Sequence, residues 1–461
     1  MKIYRKTDEY APVYHLYVDK GWINDPCGCS VFRGEYHIFF QYHEQPSSEG
    51  PGKWYHMKSP DMLNWMDLGV CLSPESESEK NGCWTGSGIE INDRHYLYYS
   101  MNQDGRIPQQ QPGIAYSEDG IKYRKLPCNP IITEATLDGH IEMRDPKVFK
   151  RENKFYMLQG SNKKGKAEVV GYISEDGINW YYKGIFFSNE KWMGDMFECP
   201  DFFSINEKDF MILSPMNWEG HKNIIISGKA DFEHFSFKCE KVVELDLGSD
   251  FYAAQSIPLK DGRVGIIGWL NKWGKPHPEI SCGWSGMLSC LRIVHYDKNT
   301  GDIAFLPASE LISLEKNHND IWKTALGQGN KSIYRPNHLH KYIEMIYEIR
   351  KEEFNANIHF QLQGEKDVPI EIIFNFGSDL VIVDKTRAFE GDNSYSIIPV
   401  ELLHKAKMII LMDGSSLEIF LGNGSVLSER FYSTRVCEMA WWTEAEIEGV
   451  ITVETMNGFY N

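Results

Sequence analysis

Ser59-Pro-Asp61-Met-Leu-Asn-Trp65, Ser117-Glu-Asp119-Gly-Ile-Lys-Tyr123 and Ser174-Glu-Asp176-Gly-Ile-Asn-Trp180 are versions of one turn, and Ala230-Asp231-Phe-Glu-His-Phe235 is a weaker copy. Their aspartates step by 58, 57 and 55 residues. A second marker, an apolar strand, keeps the same period. It reads YHIFFQYH around Phe40, HYLYYSMN around Tyr98, KFYMLQGS around Leu158, DFMILSPM around Leu213 and RVGIIGWL around Ile267, with centres 58, 60, 55 and 54 residues apart. Amphipathic helical patterns are nearly absent, and short β-type runs end in Gly, Asn, Asp and Ser turns. Two independent markers on one period point to five copies of a four-stranded unit. The expected fold is therefore all-β, with a five-bladed β-propeller over residues 1–305.

Beyond about residue 320 the period is lost. The chain there alternates strand-like runs with polar turns: 343–350, 370–376, 380–385, 407–412, 416–422 and 449–455. Leu421-Gly-Asn-Gly424 has the composition of a tight hairpin turn. A C-terminal β-sandwich over 318–461 is expected, joined to the first unit by a linker at 306–317.

Composition narrows the function. The chain has 461 residues, with 48 Lys and Arg against 65 Asp and Glu, a net charge of −17. Nucleic acid and anionic membranes need clustered cations, so neither is an expected partner. No run of apolar residues is long enough to span a bilayer, and the first fifteen residues lack the apolar core of a secretion signal. The ten cysteines show no disulfide-framework spacing. Free thiols in a reducing compartment, hence a cytoplasmic protein, are expected. Ten of the 13 tryptophans precede residue 285, which suits a sugar-binding surface in the first unit as well as a buried core. Nothing in the composition opposes a homo-oligomer.

Upstream of each apolar strand lies an unusual peptide: Trp22-Ile-Asn24-Asp25-Pro26, Trp84-Thr-Gly-Ser87, Arg144-Asp145-Pro146, Phe197-Glu198-Cys199-Pro200-Asp201 and Asp250-Phe-Tyr252-Ala-Ala-Gln255. Equivalent positions of radial repeats converge on the axis. Asp25, Asp145 and Glu198 are thus expected in one central funnel. Any single Asp-Pro pair reads first as a turn or strand end, but three acids in register ask for another reason, since clustered carboxylates are costly to bury. The histidines do not fall in register with the acids and calcium-type loops are missing, so neither a metal nor a cofactor is expected. Cleavage of a glycoside fits better, because it needs one ionised carboxylate and one protonated carboxyl beside the scissile bond. Phosphate-binding loops, dinucleotide fingerprints, serine-hydrolase elbows and zinc motifs are absent.

The run GWINDPCG resembles the WxNDPNG signature of glycoside hydrolase family 32, the invertase and β-fructofuranosidase family. The likeness continues in order through Phe39-Phe-Gln41-Tyr, Lys53-Trp54-Tyr-His56, Trp84-Thr-Gly-Ser87, Arg144-Asp145-Pro-Lys-Val-Phe149, Glu198-Cys-Pro-Asp201, Asp250-Phe-Tyr-Ala-Ala-Gln255 and Ser415-Ser-Leu-Glu-Ile-Phe420. The resemblance implies a five-bladed propeller with a β-sandwich and a retaining hydrolase of β-D-fructofuranosides. Its substrate would be a small sugar: sucrose, sucrose 6-phosphate or short fructo-oligosaccharides. It implies Asp25 as nucleophile, Glu198 as acid/base and Asp145 as the stabiliser of fructose hydroxyls. Asn24, Gln41, Trp54, Trp84, Ser87 and Arg144 would line the fructose subsite. Tyr252 and Trp269 of the fifth unit join them as substrate-binding candidates. Arg144, next to Asp145, is expected to keep that acid ionised. A fructan exohydrolase or fructosyltransferase of the same family is the nearest alternative, and a catalytically silent sugar-binding propeller is the alternative of another class. Cys27, Tyr55, Ala254 and Leu291 stand where the family pattern has Asn, Gly, Pro and Pro.

Overall fold

The periodic aspartates close their turns with the same bonds. Asp61 Oδ1 accepts from the N–H groups of Leu63 and Asn64, at 3.0 and 2.7 Å. Asp119 does so with Ile121 and Lys122 (2.8 and 2.9 Å), and Asp176 with Ile178 and Asn179 (2.8 Å each). Asp231, the weaker copy, binds Glu233 and His234 at 3.0 Å. Backbone donors on a carboxylate favour its charged form, and Asp119 and Asp176 are held at about 2. In the first three copies the preceding serine hydroxyl donates to the same oxygen. The computed structural model describes residues 8–459 except 135, 137, 139, 141, 190, 315, 327, 351–355 and 434. The first seven residues of the stretch read for a secretion signal, and residue 315 of the expected linker, lie outside the described residues.

Each turn joins the third and fourth strands of an antiparallel sheet, and each apolar marker is the second strand. Five such sheets follow one another between Gly21 and Pro307. Their first strands are Gly21–Phe32, Cys83–Ile91, Glu142–Arg151, Met196–Ile205 and Tyr252–Pro258. Each of these touches the next, and the fifth touches the first, so the inner strands close a ring. Gly160 marks how tightly the sheets meet: a Cβ there would lie 1.9 Å from the Phe197 carbonyl oxygen. Asp201 ties three sheets together, accepting from the Lys147 ammonium (2.6 Å) and from the N–H of Ser256 (2.5 Å).

All five inner strands carry an extra residue at the same level. The register shifts fall between Ile23 and Pro26, Trp84 and Gly86, Arg144 and Lys147, Glu198 and Asp201, and Tyr252 and Gln255. A bulge leaves residues unpaired and re-aims their side chains. It also explains Pro26, Pro146 and Pro200, which lack an N–H for the ladder and are tolerated in a strand only at such places. Asp145, Cys199 and Ala253 adopt left-handed φ of 61°, 48° and 54°. That conformation costs an L-residue about 1–2 kcal/mol, and it recurs in three consecutive sheets.

Two six-stranded sheets form the second unit and share one core, with Ile343, Met345 and Met408 from one sheet and Ile358, Phe360 and Phe374 from the other. The hairpin at Leu421–Gly424 is present, closed by Gly424 N–H to Leu421 O at 3.0 Å. Each of the six strand-like runs coincides with a strand to within two residues at its end, and six more strands accompany them among the described residues. One of these, Val426–Arg430, is wholly buried despite reading VLSER. Two of its polar side chains bond across to the first unit, Ser428 to Asp246 and Glu429 to Ser249, and Glu429 also accepts from Lys385 of its own unit.

The two units meet over a buried charge network. Arg292 has no exposed surface and bonds Glu418 (2.6 Å), Asp246 (2.7 Å) and Ser428 (2.6 Å). His15 lies between Asp413 (2.8 Å) and Glu418 (2.9 Å). Burial alone would lower its pKa, but the two carboxylates outweigh it and hold it at about 9. Residues 306–307 complete the last strand of the fifth sheet, and Ala308 is fully buried. Among the described residues, no helix is long and apolar enough to cross a membrane.

Candidate active site

The bulges bring the three acids together at one level of the ring. Asp25 Oδ1 accepts from the Asn24 amide (3.1 Å), and Oδ2 from the Thr85 hydroxyl (2.9 Å). The Trp22 indole donates to Asn24 Oδ1 (3.0 Å), which fixes the amide with its NH₂ toward Asp25. Asp145 Oδ2 accepts from the N–H of Cys199 (2.8 Å), while the N–H of Asp145 donates to Ser100 Oγ (2.8 Å). The Cys199 thiol points at Asp25 Oδ2 (3.7 Å). Cys199 therefore bridges two acids, and it follows Glu198 in the bulge that supplies the third.

Glu198 Oε1 accepts from Arg144 Nε (3.1 Å) and Nη2 (2.9 Å), and Oε2 from the Tyr252 hydroxyl (2.6 Å). Of the three carboxyl groups, Glu198 takes the guanidinium. Burial pushes the pKa of Asp25 up, and the charge of Glu198 adds to this. Burial also lifts Asp145 to about 7, with Arg144 opposing and Glu198 and Asp25 assisting. The expectation that Arg144 keeps Asp145 ionised is corrected: its fork is spent on Glu198, and desolvation of Asp145 wins.

Asn24, Asp25, Arg144, Asp145, Glu198 and Tyr252 thus form one linked group. Other expected residues are placed differently. Ser87 is not part of it: its hydroxyl donates to Pro146 O (2.7 Å) and accepts from Val148 N–H (2.8 Å), stitching two sheets. Thr85, the extra residue of the second bulge, reaches Asp25 in its place. Trp54 has no exposed surface, and its indole donates to Trp84 O (3.0 Å). Trp84 is partly exposed. Gln41 lies opposite the first bulge with its amide on Cys83 O (3.1 Å). Cys27 is buried with Phe39 and Trp54, so its thiol belongs to the core. Trp269 is buried at the base of a pocket and packs against Trp22 and Trp273, with ring centres 5.7 and 5.1 Å away.

That pocket, of about 440 Å³, opens beside Glu198 and is lined also by Met216, Tyr252, Trp269, Lys272 and Trp273. Trp273 is half exposed and stacks on Trp22 at 5.4 Å. Sequence reasoning missed Thr85, Ser100 and Trp273. A bulge in the second inner strand was the signal for Thr85, and no one-dimensional signal marks Trp273. Chemically, the group offers two carboxyls lifted by burial, a third held by a guanidinium and a phenol, and an aromatic-walled pocket beside it. Such a set suits acid–base and nucleophilic work on a neutral polar substrate.

Comparison with known proteins agrees in extent with the two units. The model for the N-terminal domain of glycosyl hydrolases family 32 matches residues 15–307, and that for the family's C-terminal domain matches 310–456. Sucrose-6-phosphate hydrolase of Escherichia coli is 28% identical over 445 residues, covering 93% of this chain and 90% of that protein. Raffinose invertase of Escherichia coli is 28% identical over 452 residues, covering 93% and 90%. Among solved structures, the Bombyx mori β-fructofuranosidase BmSUC1 superposes with a TM-score of 0.85 at 27% identity, covering 99% of this chain and 96% of that one. With family models matching both units from end to end, the chain belongs to glycoside hydrolase family 32.

Proposed function

We propose that this protein is a β-fructofuranosidase that hydrolyses sucrose or sucrose 6-phosphate and releases fructose with retention of configuration. The five-sheet ring is read as a five-bladed propeller carrying catalysis (1–305), followed by a β-sandwich (318–461) after the segment 306–317. The observation that carries the reading is the meeting of Asp25, Asp145 and Glu198 around Cys199, with Arg144 and Tyr252 on Glu198. The activities named for the Escherichia coli relatives and for the Bombyx mori enzyme support it.

In this mechanism Asp25 attacks the fructosyl anomeric carbon C2. The C2–O bond breaks as Glu198 gives its proton to the departing oxygen, and the fructosyl–Asp25 ester forms. Water then attacks C2, Glu198 takes its proton, and the ester bond breaks to free fructose and the Asp25 carboxylate. Asn24 and Thr85 aim the Asp25 carboxylate. Asp145, beside Asp25 and Glu198, holds fructose hydroxyls in this reading. Positive charge developing on the sugar ring is attracted by the carboxylates around it. The ten free thiols support a cytoplasmic setting.

A screen of sucrose, sucrose 6-phosphate, 1-kestose and inulin, with released fructose as readout, tests the reading. Turnover of the two sucroses above the fructans is expected. Inulin turned over faster than either would replace the reading with a fructan exohydrolase.

A further inference from the structure

Asn24, Asn102 and Asn223 are buried in the ring and spend their amides on neighbours. Asn24 donates to Asp25 (3.1 Å), Asn102 to Asp104 (3.2 Å) and Asn223 to Ser214 Oγ (2.8 Å). Asn271 lies as deep, at 2% exposure, yet its Nδ2 meets no acceptor among the described residues. A buried donor without an acceptor is costly, and a native chain keeps few of them. Asn271 stands in the wall of the pocket that opens beside Glu198. An acceptor on a bound molecule meets its need.

The same wall carries an aromatic platform. Trp273 stacks on Trp22 with ring centres 5.4 Å apart and 26° between the planes, packs on Trp269 at 5.1 Å, and still keeps 52% of its surface exposed. Two indoles hold the ring in place, so little freedom is lost when a ligand covers its open side. The C–H face of a pyranose is apolar and suits an indole. Its hydroxyl oxygens accept hydrogen bonds from an amide.

The position of the pocket indicates which part of the substrate enters it. The pocket includes Glu198 and Tyr252 but neither Asp25 nor Asp145. On the β-fructofuranosidase reading above, on which this step rests, the fructosyl ring lies against Asp25. The pocket on the outer side of Glu198 then receives the leaving group.

We infer that Asn271 and Trp273 grip the sugar ring of the leaving group, the indole against its C–H face and the amide on one of its hydroxyl oxygens, so that the chain selects fructosides whose leaving group is a pyranose. A site built around a hydrogen bond rejects analogues that lack the partner.

The test uses the full-length protein and its Asn271→Ala, Trp273→Ala and Trp273→Phe variants. The ratio of kcat/KM for sucrose over methyl β-D-fructofuranoside is measured for each. Both substrates present the same fructosyl group to Asp25. The ratio therefore cancels the folded fraction, and also any displacement of Asp25 passed on through Trp22 and Asn24. Asn271→Ala lowers the ratio about five-fold or more, Trp273→Ala about ten-fold, and Trp273→Phe keeps most of it. A ratio unchanged in either alanine variant overturns the inference. Saturation-transfer NMR with methyl α-D-glucopyranoside reads the pocket without turnover. Transfer to the pyranose ring protons in wild type, reduced in both alanine variants, supports the inference. Transfer that is absent in wild type, or equal in all the proteins, overturns it. If wild type frees fructose from neither substrate, the fructosidase reading falls, and the NMR still decides the pocket.

Discussion

Arg144 places its guanidinium not on Asp145, its neighbour in sequence, but on Glu198, with Nε and Nη2 at 3.1 and 2.9 Å from Oε1. With the Tyr252 hydroxyl on Oε2, the acid/base carboxyl is held at both oxygens. A carboxyl fixed in this way needs little reorganisation when the leaving oxygen arrives. The same choice leaves the buried Asp145 carboxyl with a backbone N–H in place of the guanidinium fork.

Arg144→Lys keeps the charge but loses the planar fork. A loss of about 100-fold in kcat/KM is expected, mostly in kcat, because the carboxyl is then misdirected in the transition state. Steady-state kinetics on sucrose checks this, and near-wild-type kcat would show that the fork does not position Glu198.

Asp145 gives a pH signature to stability. Its folded-state pKa is about 7 against an ordinary 3.8. The folded chain therefore keeps a proton that the unfolded chain has lost. The sign follows: this contribution is present at low pH and declines as pH rises from about 4 through about 7, by up to about 4 kcal/mol. Asp145→Asn removes that slope. Thermal unfolding at pH 5 and pH 8 should show a smaller fall in Tm for the variant than for wild type, and parallel falls would contradict the assignment.

Thr85 and Ser87 separate function from packing. Thr85→Val removes the hydroxyl on Asp25 and should lower kcat about ten-fold with little change in Tm. Ser87→Ala removes bonds to Pro146 and Val148, and should lower Tm while leaving kcat within about two-fold. Paired kinetics and melting curves distinguish the two, and the reverse pattern would restore Ser87 to the site.

The buried network between the units should couple their unfolding. Arg292→Met leaves Asp246 buried without its cation and Glu418 with His15 alone, a change that typically costs about 3–5 kcal/mol. Calorimetry should show a lower Tm and a broadened or divided transition. A variant as stable as wild type would show that the network is dispensable.

Much of this was legible in the sequence, for physical reasons. The Asp61, Asp119 and Asp176 turns are local: the side chain bonds its own backbone two and three residues on, so the motif survives without tertiary context. The apolar second strands are buried on both faces and read as continuous hydrophobic runs. What a one-dimensional pattern hides is re-aiming. The bulge at Thr85 gives that residue the place assigned to Ser87, and the left-handed turn at Asp145 separates it from its neighbour Arg144. Polar strands such as Val426–Arg430 escape notice because their burial comes from bonds to Asp246 and Asp250, nearly two hundred residues away. Lys272 and Trp273 lie in a loop outside the repeat, so no register points to them.

The central claim is that Asp25 attacks C2 while Glu198 protonates the leaving oxygen. Early-time NMR of fructose released from sucrose tests it most directly, because the first anomer formed records whether one displacement or two took place. Two displacements at C2 give β-fructofuranose first, followed by mutarotation, and this is the expected result. If α-fructofuranose appears first, a single inverting displacement by water has occurred, Asp25 is a base, and the assignment of roles is wrong.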